Sequence, residues 1–440
     1  MKHKCCIAVL FLALAFPLVV SGLTIEEEKK YGKEMYLQIA GSVPINNDPY
    51  ISIYLQGVKN RLESVTSLPF PITLTIIESQ AVNAFAAIGG YVYVTTGLIG
   101  FSESEEEFAG VLAHELAHIT RRHVAKRLEK EKYINIGMLA TVLAGVLVGD
   151  SKAKEAIMVG GMASAQALSL KYSREDEDEA DRLGATVADN AGYSGLGIAE
   201  FLKKLRTSGR ETTIPQYLLT HPYHEERIAK IEGAWGGSKT RVDTSFYPFL
   251  AIRANLLHRP PGAGIKEIWL NKYRKDKNDP MNAYGASLAF MSTGDTGASV
   301  KVASKIQSPY RGLFLGEMLV NARKWKEAAE VLETQKEPIP VFFLAKAYEG
   351  DGKAERAVST LRNLVPYGPA FPEIYYKLGM LSGRTGKEAE GYEYLGRYYL
   401  VTGKHDLAKT NLEKAVSRYG INSKEAQELL RLLDGMKKPE

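Results

Sequence analysis

The 440 residues are enough for two or three separately cored domains, and their make-up, 45% hydrophobic and 24% charged, is that of a folded globular chain. A formal charge of +5 spread over that length gives no reason to expect nucleic acid as a partner. Both cysteines, Cys5 and Cys6, lie at the extreme N-terminus, so no disulfide is expected in the rest of the chain.

MKHK, the apolar run Cys5–Val20 and the small residues Ser21-Gly22 read as a signal peptide over residues 1–22, cut before Leu23. The run falls short of the ~20 residues that a spanning helix needs; a retained anchor is the alternative. Residues 23–235 then mix helix and strand. TIEEEKKYGKEMYLQIAG predicts a helix starting at Thr24 with glutamates in its first turn, and ISIYLQGVKNRLESV a second. PITLTIIES (71–79) and GGYVYVTTG (89–97) alternate and are rich in β-branched or aromatic residues, as strands are. Ser102 or Ser104 can cap the helix that carries HELAH. Residues 134–149, INIGMLATVLAGVLVG, form the strongest apolar stretch after the leader. They read as a buried helix or a lid over a cleft, with partial membrane insertion, and so a peripheral membrane contact, as the alternative. MVGGMASAQA (158–167) reads as a loop or hinge, and Ser173 as the cap of a helix over 171–189.

Residues 236–280 hold the linker-like stretches GGSKTRVDTSFYPF and HRPPGAG and the start of a helical region. Beyond them a Gly-Lys turn with a small residue five positions after the glycine recurs at Gly352, Gly386 and Gly403, with a related turn at Arg323–Ala328. Spacings of 34 and 17 residues are one tetratricopeptide period and half of one, so residues 281–440 predict a helical solenoid of three to five repeats that binds peptides or partner proteins.

His114 and His118 of HELAH stand one helical turn apart on one face, where both can ligate one metal, and Glu115 lies beside them as a general base. The composition gives roughly 0.02 chance occurrences of this pattern, which argues against a surface helix with solvated histidines. A catalytic zinc needs a third protein ligand. His123, His221, His224, His258, His405 and the acidic cluster 175–181 are the candidates. In SREDEDEAD, Glu177 and Asp181 share the helical side that carries Ala180 and Gly184, so Glu177 is favoured over Glu175, and Asp181 can orient a ligand histidine.

HELAH, SREDEDEADRLG some sixty residues later and NAFAAIGGYVYVTTGLI (83–99) together resemble the HExxH zinc peptidases of the HtpX and CAAX prenyl protease family. With the leader and repeats, the likeness is to their periplasmic BepA-like branch; Ile88 stands where the family usually has proline. The resemblance implies an α+β fold: a mainly helical zincin-like metallopeptidase domain with a small β-sheet over 23–235, followed by the all-α solenoid. It implies one Zn2+ per chain held by His114, His118 and Glu177, catalysis by Glu115, and a supporting or proton-donating role for Asp181. The implied location is the periplasm and the implied substrates are unfolded or stalled outer-membrane proteins, with assembly machinery met through the repeats. The 89–96 strand is expected to be the sheet edge nearest the metal, so that Asn83, Gly90, Tyr91, Val92 and Tyr93 offer backbone to an extended substrate. LLTHPYHEERI matches a family segment at His221 and Arg227; His221 reads as an oxyanion stabiliser, as a fourth zinc ligand silencing the resting enzyme, or as a plain loop histidine. Two other readings compete: a chaperone or scaffold with a structural zinc, which has no need of Glu115, and a membrane-embedded peptidase, which needs longer apolar runs.

Overall fold

The computed structural model describes residues 22–129, 136–149, 171–208, 216–223, 225–258 and 264–437. The expected leader up to Ser21, the hinge at 158–167 and His224 lie outside these residues.

Helix α1 (Ile25–Ser42) begins where Thr24 predicts. The Thr24 hydroxyl accepts from the Glu27 N–H and the Glu27 carboxylate accepts from the Thr24 N–H. Asp48 caps α2 (Pro49–Glu63) in the same manner, accepting from the N–H groups of Tyr50 and Ile51. Both predicted strands form, as β1 (Thr73–Ile77) and β3 (Tyr91–Thr95). Between them lies an unforeseen third, β2 (Ala84–Ala86), too short to show alternation. Their order is β1-β3-β2, with β1 parallel and β2 antiparallel to β3. This corrects the expected edge: β3 is the central strand, so Tyr91, Val92 and Tyr93 have their backbone groups engaged on both sides. Gly90 lies in the turn that precedes it. The expectation fails because β2 pairs with the side of β3 that was expected to be open.

After α3 (Thr96–Phe101), Ser104 caps α4 (Glu105–Thr120), whose Phe108, Val111, Leu112 and Leu116 are fully buried. Next come α5 (His123–Leu128) and α6 (Ile136–Val148). Helix α6 packs Leu139, Leu143 and Leu147 into the cluster of Met35, Ile39 and Phe85, as a buried helix or lid would. Among the described residues no helix is long and apolar enough to cross a membrane. Ser173 opens α7 (Arg174–Asn190) with a second capping box, followed by α8 (Gly197–Ser208), α9 (Tyr217–Thr220) and α10 (Glu225–Trp235).

The stretch GGSKTRVDTSFYPF departs from its linker reading. Its last residues open α11 (Tyr247–Leu257), and Phe246, Tyr247, Phe249 and Leu250 are buried in the core that also holds α4. Apolar side chains decided this, not the glycines ahead of them. Arg253 of α11 then joins the two halves. It contacts Asp48 at 2.7 Å, Glu317 at 2.8 Å and the face of Tyr50 at 4.0 Å.

The remaining helices are α12 (Ile265–Lys275), α13 (Pro280–Ser292), α14 (Thr296–Ala303), α15 (Arg311–Asn321), α16 (Trp325–Leu332), α17 (Pro338–Gly350), α18 (Ala354–Arg362), α19 (Glu373–Arg384), α20 (Glu388–Val401), α21 (His405–Tyr419) and α22 (Lys424–Lys437). Neighbours in sequence are mostly neighbours in space, as in a solenoid. The recurring turn has one backbone form. Gly352, Gly386 and Gly403 have φ of 76°, 78° and 73°, and Arg323, with no glycine at its position, has 56°. Helix α17 packs back on α2, where Phe343 lies 5.7 Å from Tyr50.

Candidate metal centre

Helices α4 and α7 build the site. Gly184 lets them meet: a Cβ there would lie 2.9 Å from the Cα and N of His114. That approach brings Glu177 under the HELAH turn, with His114, His118, Glu115 and Glu177 all fully buried. His221, at the C-terminal end of α9, enters from the other side and is as buried.

One ligand atom from each of His114, His118, Glu177 and His221 falls within 4.8 Å of the others. His114 Nε2 lies 3.0 Å from His118 Nε2 and 3.3 Å from His221 Nδ1, which is 3.0 Å from Glu177 Oε1. Asp181 Oδ1 stands 2.9 Å from His114 Nδ1, on the far side of that ring. Arg227, 1% exposed, grips Asp181 through Nε at 2.6 Å and Nη2 at 2.8 Å, Glu177 through Nη1 at 2.6 Å and the carbonyl of Pro222 at 3.0 Å. Two aromatic rings clamp the imidazoles: Tyr172 stacks 3.6 Å from His118 and Tyr217 stacks 4.3 Å from His221.

Burial pulls the Glu177 carboxyl upward, but the charges of His221 and Arg227 outweigh it and hold it well below the usual carboxylate range. Asp181 is lowered for the same reason, with Arg227 and His114 opposing burial. Burial, resisted by His114 and assisted by the Glu177 charge, pushes Glu115 up to about 7. His118 is held well below its ordinary value, chiefly by burial, and is therefore neutral, as a metal ligand must be.

The donor set fits zinc. Imidazole nitrogens and a carboxylate oxygen are its ligands in catalytic sites. Both Glu115 oxygens and His221 Nε2 are buried with no well-formed hydrogen bond among the described residues, Glu115 Oε1 and His221 Nε2 facing each other at 3.4 Å. Such orphans cost about 1–3 kcal/mol each.

The histidine pair, Glu115, Glu177, Asp181, His221 and Arg227 thus meet in one place, and Glu175 stays exposed outside it. His258 is elsewhere, 2.9 Å from Asn46, and His405 begins α21 among the repeats. His123 sits against His118 at 2.9 Å, behind the ring. Asn83 precedes β2, its side-chain amide buried without a hydrogen-bond partner among the described residues. Tyr172 and Tyr217 were not foreseen; their signals are an aromatic just ahead of the Ser173 cap and one four residues before His221.

Comparison with known proteins agrees with this geometry. The family model for Peptidase family M48 matches residues 53–234. The Beta-barrel assembly-enhancing protease of Escherichia coli K12 is 30% identical over 389 residues, 86% of this chain and 74% of that one. The Yersinia pestis protein of the same name is 25% identical over 92% of this chain and 80% of its own, and a Protease HtpX homolog from Desulfatibacillum aliphaticivorans is 31% identical over 46% and 75%. A solved structure of MamA from Desulfovibrio magneticus covers 36% of this chain and 95% of its own at 21% identity, with a TM-score of 0.31. The motif, the buried four-residue cluster and the length of the match place the chain in peptidase family M48, as a metallopeptidase with a helical-repeat region.

Proposed function

We propose that the chain is an exported zinc endopeptidase that cuts unfolded or stalled outer-membrane proteins in the periplasm, its repeats meeting substrate or assembly machinery. The observation that carries the reading is the buried convergence of His114, His118 and Glu177 beside a fully buried Glu115. The relatives named for enhancing β-barrel assembly support the substrate class. In this reading His114, His118 and Glu177 hold one zinc, with Asp181, fixed by Arg227, orienting His114. Zinc when bound supplies Lewis acidity, polarising the scissile carbonyl and making water a nucleophile near neutral pH. Glu115 accepts the proton of the attacking water and delivers it to the leaving amine.

Substrate would pair with β2. Ala87 N–H donates to Tyr91 and Asn83 C=O accepts from Thr95, so by alternation Ala84 and Ala86 turn their backbone groups to the outer edge, and α4 packs beside that strand. Leu139 and Leu143 of α6 line a small cavity together with Phe85 and Ala86, and His221 takes the fourth place at the cluster. In this reading the described conformation is a shut one: α6 must swing away and His221 must withdraw before a substrate strand can enter.

One observation favours the scaffold reading, since four protein donors around one point is the closed set of a structural zinc. Casein hydrolysis and zinc content of wild type, Glu115→Gln and His221→Ala decide. Equal zinc in all three, no cleavage by Glu115→Gln and a several-fold rise in His221→Ala support the shut peptidase. Equal zinc with no cleavage by wild type or His221→Ala would leave the scaffold.

A further inference from the structure

His118 needs its Nε2 lone pair for the cluster: Nε2 is the atom that faces His114 Nε2 at 3.0 Å and Glu177 Oε1 at 3.5 Å. Its proton therefore belongs on Nδ1, which points away from the cluster at the Nδ1 of His123, 2.9 Å distant. His123 can accept only if its own proton is on Nε2, and Nε2 has acceptors waiting: Glu179 Oε2 at 3.2 Å and Asp176 Oδ1 at 3.5 Å. Each atom in this row has one protonation state that satisfies its neighbours. His114 has a carboxylate, Asp181, behind its ring; His118 has this imidazole, itself backed by carboxylates.

The backbone shows that His123 is held there. It lies five residues after His118, beyond the end of α4, and the chain returns only because Arg122 adopts a left-handed conformation, φ 55° and ψ 36°. A non-glycine residue there carries strain of about 1–2 kcal/mol. The Arg122 side chain fixes the turn, contacting Glu28, which is 2% exposed, and the carbonyl of Leu23. His123 is 1% exposed, and Tyr172 stacks on a face of the His118 ring. The acceptors of His123 sit on α7, the helix that supplies Glu177, so the same contact ties two ligands together.

We infer that His123 is a positioning residue of the metal centre: it accepts the Nδ1 proton of His118 and holds that ring with Nε2 toward the metal, passing the load to Glu179 and Asp176. It is not a ligand and touches no reacting atom. The inference rests on the zinc reading, and its test separates the two.

The protein without its leader, in a Glu115→Gln background to prevent self-digestion, is titrated with zinc against a competing chelator. His123→Leu, which removes the acceptor, should weaken zinc binding roughly 10–100-fold. His123→Asn, whose Oδ1 falls near the position of the lost Nδ1, should stay within about 3-fold of the parent. Long-range 1H–15N spectra of the zinc-loaded parent labelled in histidine should show His118 protonated on Nδ1 and His123 on Nε2. Unchanged affinity in His123→Leu, equal weakening in His123→Asn, or His123 protonated on Nδ1 would overturn the role. If His123→Leu does not fold, the parent spectrum decides. A parent that takes up no zinc would sink the metal reading itself.

Discussion

The metal centre and the repeats are stabilised in opposite ways. At the centre, Arg227 serves Asp181, Glu177 and the Pro222 carbonyl at once, and Asp181 in turn stands behind His114. Every group there is buried, so removing one leaves others stranded at full desolvation cost. In the repeats each helix pair leans mainly on its neighbours, and one left-handed turn is reused at Arg323, Gly352, Gly386 and Gly403. Change at the centre should therefore spread; change in the repeats should stay local and add up.

The largest expected break is Arg227→Ala. It strands two buried carboxylates and should cost about 3–5 kcal/mol in urea unfolding of the zinc-free protein. A loss below about 1 kcal/mol would mean that the centre is as loosely coupled as a repeat. Gly184→Ala comes next, because its Cβ must push α7 off His114. Overpacking of that kind costs about 1–3 kcal/mol, and the displaced Glu177 should weaken zinc binding measurably by chelator competition.

The junction between the two regions offers a pH test. Asp48 is held below the usual carboxylate range, despite burial, by Arg253 and His258. A carboxyl lowered by folding adds stability above its unfolded value near 4 and loses it as pH falls below that. Thermal unfolding should therefore shift down more steeply between pH 5 and 3 in wild type than in Asp48→Asn, which retains the cap on α2 but not the charge. Equal slopes would show that the junction does not depend on this ion pair.

The smallest effects separate the repeats. Gly386→Ala forces a Cβ into φ 78° and should cost about 1 kcal/mol, whereas Arg323→Gly relieves the same strain and should gain about 0.5–1 kcal/mol. The double variant should equal the sum to within about 0.5 kcal/mol. A large deviation would deny the nearest-neighbour picture.

What the sequence made legible follows from the same contrast. Periodic and capping signals were local, so Thr24, Ser104 and Ser173 marked true helix starts, and the Gly-Lys turns marked the repeats. The inward face of the acidic helix could be read because small Ala180 and Gly184 share it with Glu177. The strand Ala84–Ala86 could not, since three small or aromatic residues carry no period, and missing it put β3 at an edge. The supposed linker failed for a related reason: the burial of Tyr247 and Phe249 depends on partners far along the chain. His123 was visible only as one histidine among several; its place behind His118 rests on the left-handed turn at Arg122, which no residue-type pattern announces.

His114, His118 and Glu177 are proposed as a catalytic zinc centre, with His221 closing it at rest. Diffraction from crystals of the zinc-loaded protein, with data on both sides of the zinc absorption edge, tests it most directly. One anomalous peak per chain is expected, with His114 and His118 nitrogens and a Glu177 oxygen at about 2.0–2.2 Å and His221 as a fourth ligand in the closed form. A peak elsewhere, or zinc held without Glu177, would contradict the account.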